Sequence, residues 1–403
     1  MSVCRDLRLY LRFLNFLGLM CWQFETERCL LQASPECERF ALLYTVVMLS
    51  GTTAAFSFAH LQPQRFHLKI YNRTGNFYET VIFRLFCVVL WLLYLCLYLR
   101  RHRHMALVQS LLTINRKFVL GSADRQFLNN FILYGALSVI ASVNYLNGYS
   151  RSGVDSIALV LSVLVYTYGF LVLCLLLVFF VCLKQIVTAG LTHCNEELRQ
   201  GISSDSIDVT PVLCGRQQLP SLRGRQQLPS LRGRQQLPSL RGRQEILALS
   251  EGELNECFGL LLLPIVGLVL LIAPSGPFYF ISTILESKFG PAEYLLMALT
   301  SIFWDVPWLI MLFLMLRTNG ITVEANKTAK ILAKVPRTGT GLDRMIEKFL
   351  LKNLRQQPIL TAYGFFALDK STLFKLFTAI FTYMVILVQF KEMENSTKSI
   401  DKF

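Results

Sequence analysis

The stretch VDSIALVLSVLVYTYGFLVLCLLLVFFVCL, residues 154–183, carries a single charge in 30 residues, Asp155 at its second position. A helix rises about 1.5 Å per residue, so about 20 apolar residues cross a ~30 Å hydrocarbon core. This stretch is long enough to cross. The chain as a whole reads the same way. Of its 403 residues, 53% are hydrophobic and only 16% charged, and mean hydropathy is +0.46. A soluble domain carries about 25% charge, so lipid is the main solvent here. Composition also excludes a collagen, a coiled coil, a disulfide-rich miniprotein and a disordered tail.

Applied outward from 154–183, the same ruler gives seven spans: 40–61, 79–99, 127–148, 154–183, 257–285, 292–316 and 372–390. The fifth is expected to be broken by Pro264, Pro274 and Pro277. Arg84 lies in the second and Lys375 in the seventh. The connections are 1–39, which contains a short apolar stretch Leu7–Met20 read as an amphipathic helix in the cytosol or at the interface, then the long loops 184–256 and 317–371, and a tail 391–403. Arg5, Asp6, Arg8 and Arg12 interrupt the first residues, so no cleavable leader is expected.

Basic residues orient the bundle. Of the 40 Lys and Arg, 30 fall on the side holding the N-terminus and three loops, 8 on the other side and 2 inside spans. Short loop 2–3 decides the matter locally with Arg100-Arg101-His102-Arg103-His104, placing the N-terminus in the cytosol and the C-terminus outside. The 11 cysteines all fall in spans or on that cytosolic side, where thiols stay reduced. The sequon Asn72-Arg73-Thr74 is expected outside and available for glycosylation, Asn395-Ser396-Thr397 outside but close to the membrane, and Asn326-Lys327-Thr328 in the cytosol and silent.

Loop 184–256 holds an unvaried nine-residue repeat, GRQQLPSLR, at 215–223, 224–232 and 233–241. A solenoid unit is at least about 20 residues long, so the repeat reads as a spacer that the fold tolerates. The other reading is a basic strip on anionic lipid or a partner. In loop 317–371, Leu342, Met345, Ile346, Phe349 and Leu350 mark an amphipathic helix that needs a protein surface.

Catalytic signatures are absent: no Walker A, GxSxG, HExxH or GxGxxG sequence occurs. No enzyme, cofactor or nucleic-acid role is expected. His102 and His104 read as part of a solvated basic patch rather than a metal pair, and no metal site is expected. The pieces of a G-protein-coupled receptor are missing too: Asp124-Arg125-Gln126 precedes span 3, and no NPxxY closes span 7. Ionisable and polar groups in spans are candidates for function. Asp305, within Phe303-Trp304-Asp305-Val306-Pro307-Trp308, is either structural or faces a ligand. Arg84 either snorkels or helps form a pocket. Asn144 and Tyr145 in span 3 and Tyr166 and Tyr168 in span 4 offer polar tips, read for each as packing ahead of ligand contact.

Gly364-Phe365-Phe366-Ala367-Leu368-Asp369 followed by Thr382-Tyr383 and, after five apolar residues, Gln389-Phe390 resembles the signature of the insect gustatory receptors. Seven spans, the N-inside topology and the length extend the resemblance to the whole chain; the nine-residue repeat is not part of it. The resemblance implies an all-α membrane protein that assembles with other gustatory receptor subunits as a homo- or heterotetramer. It would be a ligand-gated, non-selective cation channel opened by a small-molecule tastant, a bitter or deterrent compound, in the plasma membrane of gustatory neurons. It implies a pore helix at 372–390 with Thr382, Tyr383, Ile386, Gln389 and Phe390 at the pore or gate. It also implies an anchor formed by the cytosolic ends of spans 4–6 and the segment before span 7. A ligand pocket would lie among spans 2–6, with Arg84, Asn144, Tyr145, Tyr166, Trp304 and Asp305 as candidate lining. An odorant-receptor-type subunit and a metabotropic seven-helix receptor remain as alternatives.

Overall fold

The structure is a computed structural model that describes most of residues 11–67, then 73–118, 155–207, 249–285, 290–316, 320–333 and 360–400, with position 246 and scattered positions in 129–143 and 344–351. Its principal helices are α1 (Pro35–Leu61), α2 (Arg73–Leu99), α3 (Arg101–Phe118), α4 (Ser156–Ile207), α5 (Asn255–Ile272), α6 (Ser275–Leu285), α7 (Pro291–Leu316), α8 (Gly320–Ala333) and α9 (Lys370–Ile400). Span 3 is described only at separate helical positions. The repeat 215–241 lies outside the described residues, as do Asn72, Asn144, Tyr145 and the side chain of Trp304.

Ion pairs fix which ends lie together. Arg65 meets Asp155 at 3.3 Å, joining the end of α1 to the start of α4. Arg100 Nη1 donates to the Glu256 carbonyl at 2.7 Å, and Arg101 Nε approaches Glu38 Oε1 at 3.7 Å. The bundle therefore has a basic end, carrying Arg100–Arg103, and a far end opposite it.

α4 is the central post. Residues 172–183 are buried on every face, because an all-round apolar helix is stable only where neighbours surround it. Its 52 residues span about 78 Å, more than twice a hydrocarbon core, so it extends well past the basic end. There α8 packs on it. Asn195 Nδ2 donates to both the carbonyl and Oε2 of Glu324, each at 3.0 Å, and the Thr328 hydroxyl donates to Asn195 Oδ1. Leu350 packs against Leu198 and Leu332, while Arg344 and Glu347 are exposed; these described positions of the amphipathic stretch have their polar side out. α1 buries Ala41, Thr45, Thr52, Ala55 and Ala59, a small-residue stripe that lets helix backbones approach in lipid.

Three expectations change. Of the three prolines in span 5, only Pro274 marks a break. Pro264 lies inside α5, and Pro277 sits in the first turn of α6, where its missing N–H is tolerated. His104 is not solvated. It is 1% exposed and packs edge-on to the Phe258 ring at 5.3 Å, because α3 turns it inward between α4 and α5 while His102 stays out. Burial, and after it the Arg100 charge, pushes its pKa down to about 4. Finally, Leu11, Leu14, Leu17 and Leu19 of the N-terminal stretch are buried in the main core rather than lying at its edge. A small antiparallel hairpin follows, β1 (Trp22–Glu25) with β2 (Leu30–Ala33), paired Trp22 to Ala33.

Candidate functional site

The Gly364–Asp369 motif is a built turn. Tyr363 and Gly364 adopt left-handed φ of 52° and 80°, a conformation that glycine takes without strain. Thr361 and Ala367 bridge, and Leu368 N donates to the Leu360 carbonyl at 2.8 Å. Asn255 brackets Thr361, its Oδ1 accepting the Thr361 N–H at 3.0 Å and its Nδ2 donating to the Thr361 hydroxyl at 3.0 Å. Gly259 on α5 makes the docking possible, since a Cβ there would meet Tyr363 N at 2.7 Å. Asp369 then caps α9, its Oδ1 accepting the Thr372 N–H at 2.7 Å. The motif thus fixes where α9 starts.

α9 runs from the basic end to the far end and packs along one stripe: Leu376, Leu387 and Lys391 are buried, with Leu373, Ile380 and Val388 half-buried beside them. Only 6% of its most apolar stretch is buried, against 89% for α4. At 100° per residue, Thr378, Thr382 and Gln389 fall within one narrow sector opposite that stripe, and all three are exposed. Ile386 and Phe390 lie beside the sector, both on the same side of it, and are exposed as well, 41% and 51%. The Thr378 and Thr382 hydroxyls donate to the carbonyls one turn earlier. Tyr383 turns towards α2, its ring 6.5 Å from that of Tyr78.

The predicted pocket residues do not converge on one point. Tyr166 is fully enclosed, with its hydroxyl donating to Glu79 Oε1 at 3.1 Å and its ring edge-on to Phe83 and Phe86 at 5.8 and 5.2 Å. Trp308 closes the group, edge-on to Phe86 and to Phe170 at 6.0 and 4.7 Å. Asp305 stands elsewhere, against the start of α6, where its carboxyl group lies close to the backbone of Gly276. Arg84 points away from both, its Nη2 donating to the Ala59 carbonyl at 2.8 Å and tying α2 to α1.

Three residues were missed. Glu79, at the very edge of the expected second span, is 5% exposed. Trp308 was legible: Ser301, Asp305, Trp308, Leu312 and Met315 are all buried, a helical stripe that Asp305 itself sets in register. Gly169 has no sequence signal, yet a Cβ there would lie 2.1 Å from Phe86, so its absence admits that ring beside Tyr166.

The chain matches the family model described as 7tm chemosensory receptor over residues 7–394. It is 61% identical over 402 residues to the gustatory and pheromone receptor 39a, isoform A, of Drosophila melanogaster, covering 100% of both chains. Its fold is similar to that of the insect olfactory receptor OR5 from Machilis hrabei, with a TM-score of 0.66 at 10% identity over 96% of this chain and 99% of that one. The same receptor in complex with eugenol matches with a TM-score of 0.64 at 9% identity and the same coverage.

Proposed function

The chain belongs to the 7tm chemosensory receptor family, as an insect gustatory receptor, and from that premise we propose that it is a ligand-gated, non-selective cation channel opened by a small-molecule tastant. Membership makes it a multi-pass membrane receptor, not an enzyme. The channel reading places four subunits, identical or mixed with other gustatory receptors, around an axis lined by α9 in the plasma membrane of gustatory neurons. The basic end faces the cytosol, following the skew of Lys and Arg.

One observation carries this reading. α9 sets Thr378, Thr382 and Gln389 opposite the stripe that packs on its own bundle. The Thr378 and Thr382 hydroxyls are satisfied within α9, but lipid solvates the Gln389 amide poorly, whereas a water-filled axis shared by four copies solvates all three polar groups well. Phe390 beside Gln389 supplies an apolar constriction that gates by dewetting. The ligand pocket belongs to the enclosed group around Tyr166, with Glu79, Phe86, Phe170 and Trp308, and the opening compound is a bitter or deterrent one. A second reading of the ligand, a pheromone, is favoured by the printed name of the 61% identical relative and by the aromatic enclosure of Tyr166.

The test is patch-clamp recording in cells without G-protein signalling, with and without co-expressed gustatory receptors, against a tastant and pheromone panel. Compound-evoked cation current is the expected result. Responses that appear only when G-protein signalling is restored identify a metabotropic receptor instead. An epitope after Phe403 should label on intact cells and one before Met1 should not; the reverse labelling inverts the bundle and removes the proposed gate from the outer side.

A further inference from the structure

Within one turn of the gate residues, α9 carries Lys391 and Glu394, opposite charges that each engage the end of a different helix. Lys391 is 1% exposed and its Nζ donates to the Ser282 carbonyl at 2.9 Å. Ser282 lies in the last turn of α6, where carbonyls have no partner within the helix and the dipole is negative. Glu394 receives the backbone N–H groups of Arg73 and Thr74, each at 3.2 Å, and the Thr74 hydroxyl at 2.8 Å. Those are the first residues of α2, where N–H groups are orphaned and the dipole is positive. The cation meets the negative helix end and the anion meets the positive one.

We propose that Lys391 and Glu394 are positioning residues that latch the far end of the pore helix to α2 and α6 and so set the position of the gate within one turn of them. The proposal rests on the reading of α9 as the pore helix. The apolar stretch of α9 is lightly packed, and these charge-assisted bonds tie its far end to two neighbouring helices. They also join it to the helices that bear Tyr78, Glu79 and Gly276, which gives movement around the enclosed aromatic group a direct path to Phe390. Without the latch, four apolar Phe390 ends are free to close on one another, because their mutual burial removes apolar surface from water.

The test uses the full chain in nanodiscs and in excised patches, with Glu394→Ala, Lys391→Met and the swap Lys391→Glu/Glu394→Lys. Hydrogen exchange is read first. Both single variants should speed exchange at least threefold over 391–397, with Glu394→Ala also doing so over 73–77, while 376–387 is unchanged. Ligand-free open probability per surface channel should fall at least threefold, with reversal potentials unmoved. The swap should be as impaired as the single variants, since each charge then meets a helix end of its own sign. Recovery by the swap would show a simple pair within α9 and overturn the latch, as would exchange unchanged at 73–77 in Glu394→Ala. If the wild-type chain passes no current under any condition, the channel reading fails, and the exchange data still judge the latch by themselves. If Glu394→Ala is retained inside cells, Thr74→Val, which removes one of the three bonds, should give the same changes at smaller size, and its equality with wild type in both readouts counts against the proposal.

Discussion

The carboxylate of Asp305 lies directly on the backbone of Gly276: a Cβ built at Gly276 would stand 2.4 Å from Oδ2 and 2.6 Å from Oδ1. Gly276 is the second residue of α6, just past the break at Pro274. The one acidic group deep in span 6 therefore meets the positive end of a helix whose start is exposed by a proline. This favours the structural role for Asp305 over the ligand-facing one, and it explains why a carboxylate is tolerated inside the bundle.

Gly276→Ala should cut surface expression by overpacking, an effect of about 1–3 kcal/mol. Shortening the partner in Gly276→Ala/Asp305→Ala should recover part of it. Surface biotinylation of the three chains checks this. No loss in the single variant would mean that the two helices separate easily there.

The turn before α9 should be similarly exacting. Gly364→Ala introduces a side chain at φ 80°, at about 1–2 kcal/mol, and Asp369→Ala removes the α9 cap, at about 1 kcal/mol. Both should lower the melting temperature of the solubilised protein measured by fluorescence-detected size exclusion, and Gly364→Ala more so. Equal melting temperatures would show that the turn does not hold α9.

His104 makes the basic end sensitive to acid. Its folded pKa is depressed to about 4 by burial first and by Arg100 second, below the ordinary value of about 6.5. The folded state therefore binds fewer protons than the unfolded one. The contribution is fully present above about pH 6.5 and is lost as pH falls from there towards 4. His104→Phe should flatten the stability–pH curve of the solubilised protein over that window. A curve that keeps its slope would assign the acid sensitivity to other groups.

Much of the architecture was legible. The 30-residue apolar run found α4, and the Thr382-Tyr383 and Gln389-Phe390 pairs found α9. What stayed hidden were effects of side-chain absence and of distant pairing. Gly169, Gly259 and Gly276 leave no periodic trace, since each acts by admitting a neighbour from a distant part of the chain: Phe86, Tyr363 or Asp305. His104 was misread because a charge run suggests solvent, whereas α3 rotates one member of the run onto Phe258. Pro264 was misread as a break because a proline's neighbours, which decide whether α5 continues through it, are tertiary.

The nine-residue repeat tests the opposite limit, a segment without fold value. Deleting residues 224–241 removes two copies and should leave surface expression and evoked current within about twofold of wild type, judged against ordinary surface effects of ±0.5 kcal/mol. Loss of assembly on native gels would make the repeat an interaction element.

The central claim is that α9 lines the pore with Gln389 and Phe390 at its outer constriction. Phe390→Ala removes apolar surface from that ring and should raise leak current without ligand. The most direct measurement is the reversal potential of Gln389→Glu under bi-ionic calcium and sodium, with Asp305→Asn recorded beside it. Up to four added carboxylates at the constriction should shift Gln389→Glu towards divalent selectivity, while Asp305→Asn, on a helix that packs away from the axis, keeps the wild-type reversal potential. A Gln389→Glu channel with unchanged selectivity beside an Asp305→Asn channel with altered selectivity would place the pore along α7 and contradict the account.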